Sequence, residues 1–186
     1  MIFPALNIIR TELNNNIPTP ITTELANIGE LLSGPNPNNV NSDIVISLIN
    51  VEENRMSRDP RNYLRSGNEI FPKNPAIHLY LTLLFTATKS DSAYTKALES
   101  LQRLINFFQN KYVFDHSNTP GLDPGIDKLI LEMVSINIEQ LNHLWSIVGG
   151  RYQPSVVYKM RMVTIDTVPL VPGDVVREIE TKFYME

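Results

Sequence analysis

Ile2, Leu6, Ile9 and Leu13 fall on one face of a helix, so residues 2–15 read as an amphipathic helix that Asn14-Asn15-Asn16 and Pro18 bring to an end. Residues 20–32 carry two signals at once. Ile21, Leu25, Ile28 and Leu32 fit a helical stripe, whereas the β-branched run Ile21-Thr22-Thr23 suits a strand. Residues 33–39, with Gly34, Pro35 and Pro37 among asparagines, read as a loop. Residues 43–53 are apolar on both faces, which predicts a strand inside a sheet. Residues 54–74 set Arg55, Arg58, Arg61, Arg65 and Lys73 against Asp59 and Glu69. With Pro60, Gly67 and Pro72 they read as one long basic loop, either functional or loosely held.

Residues 76–88 alternate. Ile77, Leu79, Leu81, Leu83 and Phe85 point one way, and His78, Tyr80, Thr82, Leu84 and Thr86 the other, which predicts a long strand with one greasy face. Residues 92–109 form the clearest helix, with a stripe through Ala97, Leu101, Leu104 and Phe108 and Asp91 placed to cap its start. Lys111-Tyr112-Val113-Phe114 is a short strand, residues 118–125 a loop and residues 128–135 another strand. Asn137-x-x-Gln140 is close to a capping box and opens a helix with the stripe Ile138, Leu141, Leu144, Trp145 and Val148. Gly149-Gly150 stops that helix. Residues 155–166 alternate again: Val156, Tyr158, Met160 and Met162 face one side, Val157, Lys159, Arg161, Val163 and Ile165 the other. Beyond Pro169 and Pro172 the chain reads as a weakly held tail with a helical piece at residues 174–184. This order predicts the α/β (α+β) class: a single mixed β-sheet flanked by helices, in a domain over residues 1–168 with a C-terminal tail over 169–186.

Composition narrows the chemistry. The chain has 186 residues, enough to bury its own core. Its 16 Lys and Arg against 20 Asp and Glu leave a net charge of −4, which argues against nucleic acid as a partner. Cys is absent, so disulfides, thiolate metal sites and a Cys nucleophile are excluded. No apolar run approaches the roughly 20 residues of a membrane span, and residues 1–6 lack the pattern of a signal peptide, so a cytoplasmic origin without membrane contact is expected. Asn is the one unusual count, at 19 residues.

No motif carries catalysis. Gly149-Gly150 follows a helix, so it reads as a helix stop rather than a phosphate loop. His78, His116 and His143 are scattered and read as structural or surface residues. Glu52 and Glu53 are neighbours on a strand, so they point to opposite faces and read as a solvated strand end, or as ion-pair partners of Arg55 or Arg58. Arg151, Lys159 and Arg161 with Tyr152 and Tyr158 make a small basic patch. No metal and no cofactor is expected from this inventory.

Four stretches then stand out as a set. They are Ile44–Glu53; Asn74-Pro75 with Leu79-Tyr80-Leu81 and Leu84-Phe85; Tyr94-x-x-Ala97-Leu98-x-x-Leu101 with Phe107-Phe108-Gln109; and Glu139–Trp145 running through Gly149-Gly150-x-Tyr152-x-Pro154 to Arg161. In this order and spacing the chain resembles the tail terminator (cap) proteins of bacterial contractile injection systems, phage-tail-like particles in which a sheath surrounds a rigid inner tube. The resemblance covers residues 2–166. It implies a non-enzymatic structural protein, a hexameric ring on the baseplate-distal end of the tail that fixes its length and contacts the terminal sheath and inner-tube subunits. It also favours a strand near Leu25–Ile28. Some relatives carry a longer C-terminal extension, and nothing of its function is carried over.

A sixfold ring uses a head-to-tail contact, so each subunit must offer two different faces. Charge suggests the basic segment 54–73 and the acidic segment 174–186 for opposite sides of one contact, and Arg55, Arg58, Arg61, Arg65, Arg151, Tyr152, Lys159 and Arg161 as interface residues. Docking by strand addition would use residues 76–88 or 155–166 if either were an edge. Two other readings stay open: a soluble assembly adaptor or chaperone for a tail component, and an enzyme with a scattered site in a deep pocket around His143, Glu139 or Glu132.

Overall fold

Side-chain alternation along the strands sorts the apolar residues onto two sheet faces, and a pair of helices covers each. The computed structural model describes residues 1–17, 21–33, 42–54, 77–88, 94–149 and 152–164, and the backbone of 63–66 and 69–72. In chain order the elements are α1 (Ile2–Asn16), β1 (Thr23–Leu25), α2 (Ile28–Ser33), β2 (Ile44–Glu53), β3 (Tyr63–Ser66), β4 (Glu69–Pro72), β5 (Leu79–Ala87), α3 (Tyr94–Asn110), β6 (Val113–Asp115), β7 (Ile126–Val134), α4 (Ile138–Val148) and β8 (Ser155–Thr164). Six strands form one mixed sheet in the order β1-β2-β5-β8-β7-β6. The β1–β2 pair is parallel and the other pairs are antiparallel.

The larger core lies between the sheet and α1 with α3. Ala5, Ile9 and Leu13 of α1 and Leu104 and Phe108 of α3 meet Ile46, Leu83, Phe85, Leu129, Met160 and Met162 of the sheet. At its centre Phe108 packs 4.8 Å from Tyr158 and 5.4 Å from Phe85, ring centre to ring centre. Burial raises the Tyr158 phenol above its ordinary pKa. The opposite face is covered at one end only, where Ile28 of α2 and Trp145 of α4 close over Val45, Leu84 and Val157.

Both signals at residues 20–32 are real, one after the other. The strand that the resemblance favours at Leu25–Ile28 ends at Leu25, and Ile28 begins a helix. The cause is Ser47, whose hydroxyl donates to Ala26 O at 2.6 Å and accepts the Ile28 N–H at 3.1 Å. It takes over the backbone groups that a longer β1 would have paired with β2, and Asn27 Oδ1 accepts the Gly29 N–H at 3.1 Å to open α2. Residues 54–74 are likewise not a plain loop, because β3 and β4 pair as a hairpin between them. The strands at 76–88 and 155–166 are not edges: β5 and β8 are the two central strands, bonded on both sides. The loop at 34–39, the Asp91 cap and the tail lie outside the described residues.

Candidate functional site

The open end of the second sheet face is where the predicted residues Lys159 and Arg161 lie. Two residues apart on β8, they share the face opposite α1 and α3. The register extends them into rows across the sheet. Asn50, Thr82, Lys159 and Glu132 form one row, and Glu52, Tyr80, Arg161 and Ile130 the next. A bulge at Ile49 in β2 moves Asn50 and Glu52 onto this face. Neither α2 nor α4 contributes to it, since both pack on the other end.

The face is polar and partly neutralised from within. Lys159 Nζ donates to Glu52 Oε2 at 2.9 Å and lies 4.5 Å from the centre of the Tyr80 ring. Asn50 Nδ2 donates to Glu52 Oε1 at 2.9 Å. The hydrogen bond and the charge of Lys159 hold the Glu52 carboxyl below its usual range. The patch expected from sequence is therefore divided. Lys159 and Arg161 stand together, but Tyr158 points into the core and Tyr152 lies at the other end of the sheet, its ring 5.8 Å from Trp145 of α4. Arg65 is a β3 residue whose backbone pairs with Ile70. Arg55, Arg58, Arg61 and Arg151 lie outside the described residues.

The rest of the expected chemistry resolves into structure. His116 Nε2 lies 2.9 Å from Ile126 O, and His78 Nδ1 accepts the Thr164 N–H at 3.2 Å, which ties β5 to the end of β8. His143, Glu139 and Glu132 are exposed, so the deep pocket needed by the enzymatic reading is not built from them. Among the described residues no group of three or more acidic residues or histidines could hold a metal ion, and no helix is long and apolar enough to cross a membrane.

Apolar side chains mark the rims. Leu48 and Val51 on β2, Met133 on β7, and Ile138 and Ile147 on α4 are exposed. A groove of about 680 Å³ runs beside β2, lined by Leu6, Leu25, Ile46, Leu48 and Ile147 among others. A smaller one of about 270 Å³ lies between Ile138, Trp145 and Tyr152. These rims were not singled out from the sequence. The apolar residues on both sides of residues 43–53 were the available signal, although they read there as a wholly buried strand.

Residues 5–178 match the sequence model of one protein family, described as the Pvc16 N-terminal domain. Among solved structures, the chain is similar to the sheath/tube terminator of the PVC extracellular contractile injection system in its extended state. That likeness has a TM-score of 0.60 at 13% identity, over 100% of this chain and 64% of that one. The chain is also similar to the cap of the anti-feeding prophage, the AFP tube-terminating cap, with a TM-score of 0.64 at 11% identity over 96% of this chain and 60% of that one. It thus spans less than two thirds of the length of these solved chains. A comparison with curated proteins found no match. At these identities the likeness establishes a shared fold: the mixed sheet with helices on both faces.

Proposed function

The chain belongs to the Pvc16 N-terminal domain family, and on that premise we propose that it is a structural subunit of the cap that terminates the sheath and tube of a contractile injection system. The observation that carries this reading is the likeness of the fold, over nearly all of the chain, to two terminating caps. In this role the protein forms a sixfold ring at the end of the tail far from the baseplate, meets the last sheath and tube subunits, and stops growth at a set length. The shape of the subunit is consistent with this work. It presents an open polar sheet face, exposed apolar rims and a rigid aromatic core, which suits a part whose surfaces matter more than any pocket. Strand addition through residues 76–88 or 155–166 is not available, because β5 and β8 are already paired on both sides.

The test is electron microscopy of particles from cells lacking this chain, with tail lengths compared against complemented cells. Tails of uncontrolled length, or tubes without sheath, are expected. Particles of normal and uniform length would overturn the reading and favour a soluble assembly adaptor. The arginines Arg55, Arg58, Arg61 and Arg65 remain assigned to the ring contact on charge alone. Reversing the charge of Arg58 and Arg61 is expected to weaken assembly, and unaltered assembly would remove them from the contact.

A further inference from the structure

The sheet is wide at its two ends and narrow at its waist. β1 pairs with β2 only at Ile44–Ile46, and β6 pairs with β7 only at Lys128–Ile130. Beyond those limits no described strand lies on the outer side of β2 from Ser47 to Val51, or of β7 from Glu132 to Val134. Following the pairings across the sheet brings these two bare stretches to the same height. Val134 is level with Ser47, Met133 with Leu48, and Glu132 with Asn50. Three successive antiparallel pairings also make β2 and β7 antiparallel to each other.

We propose that copies of this chain associate head to tail by pairing the bare edge of β2 in one copy with the bare edge of β7 in the next, so that the sheet continues from subunit to subunit. A neighbour set beside β2 in the same orientation, and at the same height, presents its β7 in the antiparallel sense. That register places Leu48 beside Met133 on the side of α1 and α3, and Asn50 beside Glu132 on the polar side. Leu48 is 39% and Met133 56% exposed in the single chain, so each would gain apolar cover from the other. A slip of one residue would set Leu48 against the polar side of the neighbour, so this register is specified by the side chains. The groove beside β2 leaves room for the neighbour's backbone where it leaves β7 and turns into α4. The Val51 N–H is meanwhile taken by Asn50 Oδ1 at 2.9 Å, which blunts this edge in the single chain.

The occupant of each edge is a second copy because this chain carries the matching edge itself. A foreign strand on either side would leave the other bare. Two different edges make the contact heterologous, so it propagates and closes into a ring when the rotation allows. The inference rests on the proposed cap function for its ring closure; the contact itself derives from the sheet.

The absence of Cys gives a clean test. Leu48→Cys and Met133→Cys are introduced together and singly, oxidised both in purified particles and in the isolated chain, and separated on a non-reducing gel. The double variant is expected to give a ladder of covalent multimers that reductant collapses, and each single variant a monomer. Facing residues on paired strands lie within disulfide reach. Dimers from Leu48→Cys alone would mean that β2 meets its own copy, and would overturn the head-to-tail contact. A double variant that is present in the particles and stays monomeric would also overturn it, while leaving the cap reading intact. Particles without the chain would overturn the cap reading, and the ladder of the isolated chain then decides the contact. Should the reduced double variant fail to fold, Asn50→Cys with Glu132→Cys probes the neighbouring pair, with the same outcomes.

Discussion

Gly29 stands where a methyl group would come 1.9 Å from Val148 O, so α2 reaches the end of α4 only because this residue lacks a side chain. Gly29→Ala is expected to force the two helices apart and cost about 1–3 kcal/mol, read as a lowered denaturation midpoint. Gly149, across the same contact, has φ +134 and donates its N–H to Trp145 O at 3.1 Å, which ends α4. Its role was legible, because a glycine after an apolar helical stripe has one obvious use. That of Gly29 was not, since its neighbour is 119 residues away along the chain. Glu52 is a second such case. Alternation set Lys159 beside Arg161, but only the register delivered the carboxylate from two strands away. Lys159→Met is expected to let the Glu52 carboxyl titrate at a higher pH, followed by NMR of its side chain. The lowered carboxyl favours the folded state above its ordinary range, and that preference fades as pH falls through its folded pKa; in the variant the pH dependence shrinks.

Helices whose stabilising signals are local were the best read. Asn137 Oδ1 accepts the Gln140 N–H at 2.8 Å and Gln140 Oε1 accepts the Asn137 N–H at 3.0 Å, the reciprocal cap that the spacing announced. Asn137→Ala is expected to cost about 1 kcal/mol, measured by chemical denaturation. α1 and α3 follow their apolar stripes within a residue or two, as a period of 3.6 requires. At residues 20–32 no local rule could decide. Strand and helix signals overlapped, and the switch between them is set by Ser47 from a different strand. The β3–β4 hairpin escaped notice for a related reason, since its four-residue strands stand among charged and turn-forming residues.

At the scale of the whole molecule, the aromatic cluster joins α3 to the central strands. Phe108→Ala is expected to cost about 3–5 kcal/mol by emptying that contact, with unfolding by heat or denaturant monitored through tyrosine and tryptophan signals. The sequence by itself determined which residues face the core, where most helices and strands begin and end, and that one mixed sheet carries them. Those features depend on side-chain period, caps and turn residues that lie within a few positions of one another. Only the tertiary structure decided the strand order, the central places of β5 and β8, the Glu52–Lys159 pairing and the bare edges at the waist of the sheet. These depend on which distant backbones meet. Backbone hydrogen bonds are nearly the same for every residue, so no short stretch of sequence records which partner a strand will take.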